Sequence, residues 1–108
     1  DRLVLLCTGA LLEPSSAWHD RAGLVRSDGT NAVAEAVVAR WFTPALLASD
    51  PDLKKSSEAM VAATPAEGYA SCCEVIASMD LRHDLPSISA ATASASGESL
   101  PWNGAIPA

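Results

Sequence analysis

The feature that most constrains the fold is an unbroken apolar run near the first residue, LVLLC at positions 3–7, which Thr8 and Gly9 end. A run without polar alternation predicts a β-strand that is buried on both faces, as in a parallel sheet. A parallel pair needs helices on its faces and further strands at its edges. The run therefore predicts an α/β fold in which one or two parallel strands flank a helical segment and the other strands lie outside this chain.

Two helices are predicted directly after this strand. The first begins near Ser15 or Ser16 and extends to about Val25, before the turn sequence DG. The second is capped by Thr30 and carries apolar residues at intervals of four, which places them on one face. Pro44 is expected to end or kink it, because proline breaks the backbone hydrogen-bond pattern of a helix interior.

Two further helices, which bring the predicted number to four, have stronger start signals. Asp50 and Pro51 provide an N-cap acid followed by proline at the first helical position. In the sequence TPAE, Thr64 is predicted to cap the fourth helix, with Glu67 reaching back to the backbone amide of the cap. After this helix, the stretch SISAATASASG reads as a poor strand or a loop, and the last residues form a turn-rich tail.

Length, charge and cysteine content narrow the classes of protein. A chain of 108 residues with 49% hydrophobic residues is enough for one small domain. A net charge of −6 argues against nucleic acid as a partner. Three cysteines, two of them adjacent, do not suggest a disulfide framework and favour a cytoplasmic location. The apolar run lacks the basic flank of a signal peptide and is too short to span a membrane.

The adjacent cysteines raise the question of a metal or redox site. On the fourth helix Tyr69, Cys72, Cys73 and Ile76 follow the spacing i, i+3, i+4, i+7, which forms one apolar stripe. Buried free cysteine packs as a small hydrophobic residue, and His83 stands ten residues further on, past the helix end. The stripe is therefore interpreted as packing, and no metal and no cofactor are predicted.

Arg40 is the residue that most resembles a binding group. It borders the apolar stripe of the second helix beside Trp41 and has no carboxylate at a helical spacing that could pair with it. One interpretation is that its guanidinium binds a substrate carboxylate through two hydrogen bonds. The other is that the side chain lies along the helix edge with its charge in water. The two histidines are interpreted as solvated side chains.

Several segments together resemble a known family. RLVLLCTGA, AWHDRAGLVRSDG, VVARWFTPAL and ATPAEGYASCCEVIASMDLRHDLPSI are similar, in this order, to the 3-oxoadipate enol-lactonases of the α/β-hydrolase superfamily. The resemblance implies that residues 1–10 are a core strand of the sheet and residues 11–85 are the helical lid. Residues 86–108 would be a doubtful following strand with a divergent tail. It also implies a substrate pocket to which Arg40, Trp41 and, with less support, Trp18 contribute.

The same resemblance implies that the chain holds no catalytic residue. The nucleophilic serine is expected before Asp1 and the catalytic histidine after Ala108, and the sequence contains no G-x-S-x-G. In the family's pattern for the catalytic acid, Leu100 occupies the position of the aspartate. Similarity ends abruptly after about Ala91, which favours a shifted reading frame over divergence or a misalignment.

The resemblance predicts a fragment of a serine hydrolase that acts on a small-molecule lactone or ester in aromatic catabolism and is inactive alone. No nucleic acid, membrane or cofactor is expected as a partner. Two alternatives stay open. One is an α/β-hydrolase lid that serves a different ester, and the other is a small helical interaction module without catalytic ancestry.

Overall fold

The structure, a computed structural model, describes residues 1–95. Within them the chain forms two strands and five α-helices, with one 3₁₀ turn before the second strand. In chain order these elements are β1 (Arg2–Leu6), α1 (Ser15–Asp28), α2 (Asn31–Trp41), α3 (Pro44–Ser49), α4 (Pro51–Ala62), α5 (Ala66–Ser78), the 3₁₀ turn (Leu85–Ser87) and β2 (Ala91–Ala95). All of the helices lie between the two strands in sequence.

β1 and β2 form a parallel pair in which Arg2 lies opposite Ala91 and Leu6 opposite Ala95. Residues 91–95 of the stretch SISAATASASG, which the sequence left open between strand and loop, therefore form a strand. Within residues 1–95 only one face of β1 is covered, since Val4 and Leu6 are 63% and 67% exposed, so burial on both faces stays a prediction for the complete sheet. Both residues belong to the face of the strand that nothing among the described residues covers, whereas Leu3 is half-buried on the other face.

The helix starts show which capping predictions hold. Asp50 caps α4 as predicted: its Oδ1 accepts a hydrogen bond from the amide of Leu53 at 2.9 Å, and Pro51 takes the first helical position. The capping box predicted at the start of α5 does not form. Thr64 instead donates its hydroxyl to the carbonyl of Met60 at 3.4 Å, and the carboxylate of Glu67 binds Arg26 on α1.

The prediction of four helices is also wrong, because Pro44 begins a helix instead of only ending one. Thr43 has an extended backbone and its hydroxyl accepts a hydrogen bond from the amide of Leu46 at 3.3 Å. Proline at the first helical position loses no hydrogen bond, because that amide has no partner within a helix. The short helix α3 therefore separates α2 from α4.

The helices pack in two pairs, α1 with α5 and α2 with α4, and α1 also contacts α2. The first pair buries Ala22, Ala70 and Cys73 between its helices, with Trp18 and Tyr69 packed against them. The second pair buries Ala34, Val38 and Val61, flanked by half-buried apolar residues. Both cores are small and consist of short side chains, so polar contacts between elements carry a large share of the specificity.

One buried polar contact joins the two pairs, and one surface contact reinforces the α1–α5 pair. Thr30 is 3% exposed and donates its hydroxyl to the carbonyl of Thr64 at 2.7 Å, which joins the α1–α2 connection to the α4–α5 connection. On the surface, Arg26 of α1 donates hydrogen bonds to the carboxylates of both Glu67 and Glu74 on α5. These hydrogen bonds lower the pKa of both carboxyl groups below its ordinary value.

The segments that enter and leave the helical part lie side by side. Leu11 and Asp80 form an isolated antiparallel bridge, and the amide of Leu81 donates to the carbonyl of Ala10 at 2.8 Å. Arg82 then donates to both carboxylate oxygens of Asp80 at 2.9 and 2.7 Å, which holds the pKa of Asp80 well below its ordinary range. Among residues 1–95 no helix combines the length and the apolar character needed to cross a membrane.

Candidate functional site

A cleft with a volume of about 350 Å³ opens between α1, α2 and α5. Clefts of about 300–1,000 Å³ are typical of small-molecule sites. Three helices contribute to its wall, and aromatic and aliphatic side chains predominate among the residues that line it. The described lining residues are Trp18, Arg21, Val37, Arg40, Trp41, Tyr69, Cys72, Cys73 and Ile76.

The second helix presents Val37, Arg40 and Trp41 to the cleft at the spacing i, i+3, i+4, so they share one face. Trp41 is 50% exposed, and its ring meets the ring of Phe42 edge-on with 6.5 Å between the centroids. Arg40 is exposed and makes no salt bridge with any residue in the described part of the chain. An exposed tryptophan beside an unpaired guanidinium offers an apolar surface and a charged donor to the same ligand.

Trp18 reaches the cleft from α1. Its indole Nε1–H donates to the carbonyl of Leu12 at 3.0 Å, which fixes the orientation of the ring against the segment that leads into the helix. One turn later Arg21 places its guanidinium carbon 5.0 Å from the centroid of the Trp18 ring, a cation–π contact. The sequence interpretation overlooked Arg21. Its spacing of i+3 from Trp18 was the available signal.

The cysteine stripe of α5 forms the third wall of the cleft. Cys73 is 3% exposed and packs with Ala22 and Ala70, as the packing interpretation predicts. Burial raises the pKa of its thiol. Cys72, by contrast, is exposed on the cleft side, so the stripe is only partly core. Within residues 1–95 no three His, Cys, Asp or Glu side chains come together in a way that could hold a metal ion.

The structure thus brings the three predicted substrate-binding residues into one cleft. Trp18 comes from α1, and Arg40 and Trp41 come from α2, more than twenty residues later in the sequence. His19 and His83 are exposed and do not line the cleft. The predicted position of the catalytic acid, at Leu100, lies outside the described residues.

Comparison with known sequences finds two related enzymes from Acinetobacter baylyi. The chain is 37% identical over 89 residues to a protein named 3-oxoadipate enol-lactonase 2, which is 82% of this chain and 33% of the relative. It is 30% identical over 94 residues to 3-oxoadipate enol-lactonase 1, covering 87% of this chain and 35% of that protein. The chain therefore spans about a third of the length of these relatives. No protein-family model matches it.

Solved structures give the same result. The crystal structure of the enol-lactonase from Burkholderia xenovorans LB400 superimposes with a TM-score of 0.83 at 35% identity, over 91% of this chain and 38% of that one. A hydrolase from Pseudomonas aeruginosa PA01 follows with a TM-score of 0.80 at 32% identity, over 90% of this chain and 37% of the other. The predicted α/β fold class and the resemblance stated from the sequence are both confirmed.

Proposed function

We propose that this chain forms the lid of a 3-oxoadipate enol-lactonase of the α/β-hydrolase superfamily, because it is homologous to such enzymes over about a third of their length. In this proposal residues 11–85 cover a substrate pocket, and residues 1–10 and the strand β2 belong to the sheet beneath. The enzyme hydrolyses a lactone or carboxylic ester that carries a carboxylate. The nucleophilic serine, the oxyanion-binding amides and the catalytic histidine would come from parts of the fold outside this chain, which would be inactive alone.

The observation that carries this proposal is the cleft that Trp18, Arg40 and Trp41 share. Arg40 binds the substrate carboxylate, because a guanidinium can donate two parallel hydrogen bonds to it and no protein carboxylate in the described residues competes. Trp41 and Trp18 contact the apolar body of the substrate. A lid of this kind excludes water from the reaction and orients the substrate above the nucleophile.

The homology also bears on the two alternatives. A helical interaction module without catalytic ancestry would not be expected to match enol-lactonases over most of its length, including the strand β1. A lid for a different ester keeps the same fold and the same cleft, so it differs from the proposal only in the substrate. The test must therefore compare substrates.

The test replaces the homologous segment of the Acinetobacter 3-oxoadipate enol-lactonase 2 with residues 1–88 of this chain. We expect this chimera to hydrolyse the carboxylated lactone. Arg40→Ala should then raise KM for the lactone roughly ten- to hundred-fold, the value of a lost hydrogen-bonded charge pair. KM for an uncharged aryl ester should stay within about twofold.

Lys55→Ala is the matched control, because this lysine is exposed on α4, away from the cleft. It should change neither KM. A chimera that unfolds cooperatively but hydrolyses neither substrate would contradict the lid proposal. If Arg40→Ala raises KM equally for the lactone and the uncharged ester, Arg40 does not bind the carboxylate. If the chimera prefers uncharged esters, the alternative of a lid for a different ester is favoured.

A further inference from the structure

The cleft contains a second cation, Arg21, that the proposed function does not use. Arg21 stands on α1, across the cleft from Arg40 on α2, and its side chain is half-buried. The ring of Trp18 lies 5.0 Å from its guanidinium carbon, which limits the directions in which the charged end can point. The cleft therefore presents two guanidinium groups from two different helices.

The ion pairs of the helical part single out these two arginines. Arg26 and Arg82, which lie outside the cleft, are each held by carboxylates. Arg21 and Arg40 have no salt bridge with any residue from 1 to 95. No aspartate or glutamate is among the described residues that line the cleft. In a chain with a net charge of −6, acidic side chains are abundant, and their absence from this wall leaves two positive charges uncompensated.

The charge of Arg21 also reaches α5, which packs directly against α1. Burial raises the pKa of the Cys73 thiol on α5, and the guanidinium of Arg21 is the one influence that acts in the opposite direction. Like charges that share a partly desolvated site are stabilised by an anion that binds both.

We propose that the cleft binds dianions, with Arg40 holding one carboxylate of a dicarboxylate and Arg21 the other. This inference rests on the proposed function and extends it. Hydrolysis of a lactone that carries a carboxylate breaks the acyl C–O bond: the hydroxyl of water goes to the acyl carbon and its remaining proton goes to the leaving ring oxygen. The new carboxylic acid then releases a proton. A monoanion thereby becomes a dianion, so Arg21 gives the cleft a higher affinity for the ring-opened product than for the lactone.

The experiment compares two ligands of equal length, adipate and monomethyl adipate, which differ by one negative charge. Binding to the 108-residue chain is followed by the fluorescence of Trp18 and Trp41, in a Trp102→Phe background that removes the third tryptophan. The chain should bind adipate roughly tenfold or more tightly than the monoester at low salt. The same ligands are tested as inhibitors of the chimeric enzyme, which provides the measurement if the chain alone lacks a cooperative unfolding transition.

Arg21→Gln should reduce the preference for adipate to about twofold or less and leave the affinity for the monoester within about twofold. Arg21→Lys should keep most of the preference, whereas Lys55→Gln should change neither affinity. If Arg21→Gln lowers the affinities for both ligands equally, or changes neither affinity, Arg21 does not bind the second carboxylate and the inference is wrong. If the wild-type protein binds both ligands equally and Arg40→Gln abolishes binding of both, the role of Arg21 is refuted and the carboxylate role of Arg40 stands. If neither ligand binds folded chain or folded chimera, the carboxylate role of Arg40 fails as well.

Discussion

Replacing Thr30 tests how the two helix pairs are joined. Its side chain was predicted from the sequence to cap α2, but the structure shows that it donates a hydrogen bond to the carbonyl of Thr64 at 2.7 Å. The backbone of Thr30 has φ −66° and ψ −22°, which are helical values, and no side-chain capping bond is present. An N-cap residue normally has an extended backbone. The hydroxyl therefore acts as a buried donor between two loops.

The two roles predict opposite results for one substitution. Aspartate is at least as good an N-cap as threonine, so Thr30→Asp would leave stability unchanged or higher if the capping role were correct. As a buried donor, Thr30 cannot be replaced by a carboxylate, which has no proton to give and would face the Thr64 carbonyl at a position that is 3% exposed. Among the replacements of Thr30 by aspartate, valine and serine, we expect Thr30→Asp to lower the free energy of unfolding most.

Thr30→Val measures the hydrogen bond itself, because valine has the shape of threonine without the hydroxyl. The free energy of unfolding should fall by about 1–3 kcal/mol, the cost of leaving a partly buried carbonyl without its donor. Thr30→Ser keeps the hydroxyl, so its free energy of unfolding should fall by less than that of Thr30→Val. Urea denaturation followed by circular dichroism provides the values, with an unchanged slope as the sign that only stability has changed. A Thr30→Asp variant as stable as wild type would refute the donor role.

Two further predictions concern the core and the surface. Val38 is fully buried between α2 and α4, so Val38→Ala should lower the unfolding free energy by about 2–3 kcal/mol. In contrast, the side chain of Val75 is 66% exposed, so Val75→Ala should change the unfolding free energy by less than about 0.5 kcal/mol. Equal decreases for the two variants would contradict the assignment of the core. Arg26 lowers the pKa of its two glutamate partners, so their stabilising effect is present above the ordinary value of 4.5 and is lost as the pH falls through the lowered values. Arg26→Met should therefore be less stable than wild type at pH 7, and the difference should shrink as the pH is lowered below 4.5; a pH-independent difference would refute the ion-pair explanation.

The capping signals show why local sequence predicts some helix starts and not others. Asp50 and Thr64 have similar contexts, each followed by proline, and only Asp50 caps its helix. At the α5 start, Glu67 has a stronger partner in Arg26 on a neighbouring helix, and that contact depends on tertiary packing. A motif within four residues cannot report a partner that lies 41 residues away.

The cleft residues show the same division between local and distant information. Arg40 and Trp41 were found from one helix, because their position beside an apolar stripe and the lack of a local acid are both visible in sequence. Arg21 was overlooked, since its importance depends on which face of α1 meets α2 and α5. The fold class, by contrast, followed from the apolar run of β1 and the order of the segments, which require no knowledge of packing.

The small side chains of the core explain how a chain of this size forms a cleft at all. Ala22 and Ala70 are almost fully buried where α1 meets α5, and such short residues let the two helices approach closely. The large rings of Trp18 and Tyr69 flank this contact and cannot enter it, so they form the wall beside it. Since short side chains bury little apolar area, the packing alone stabilises this arrangement weakly. Polar contacts between the elements, such as Thr30 with Thr64 and Arg26 with Glu67, therefore add to the stability of this packing. A substrate that binds two of the helices would stabilise it further.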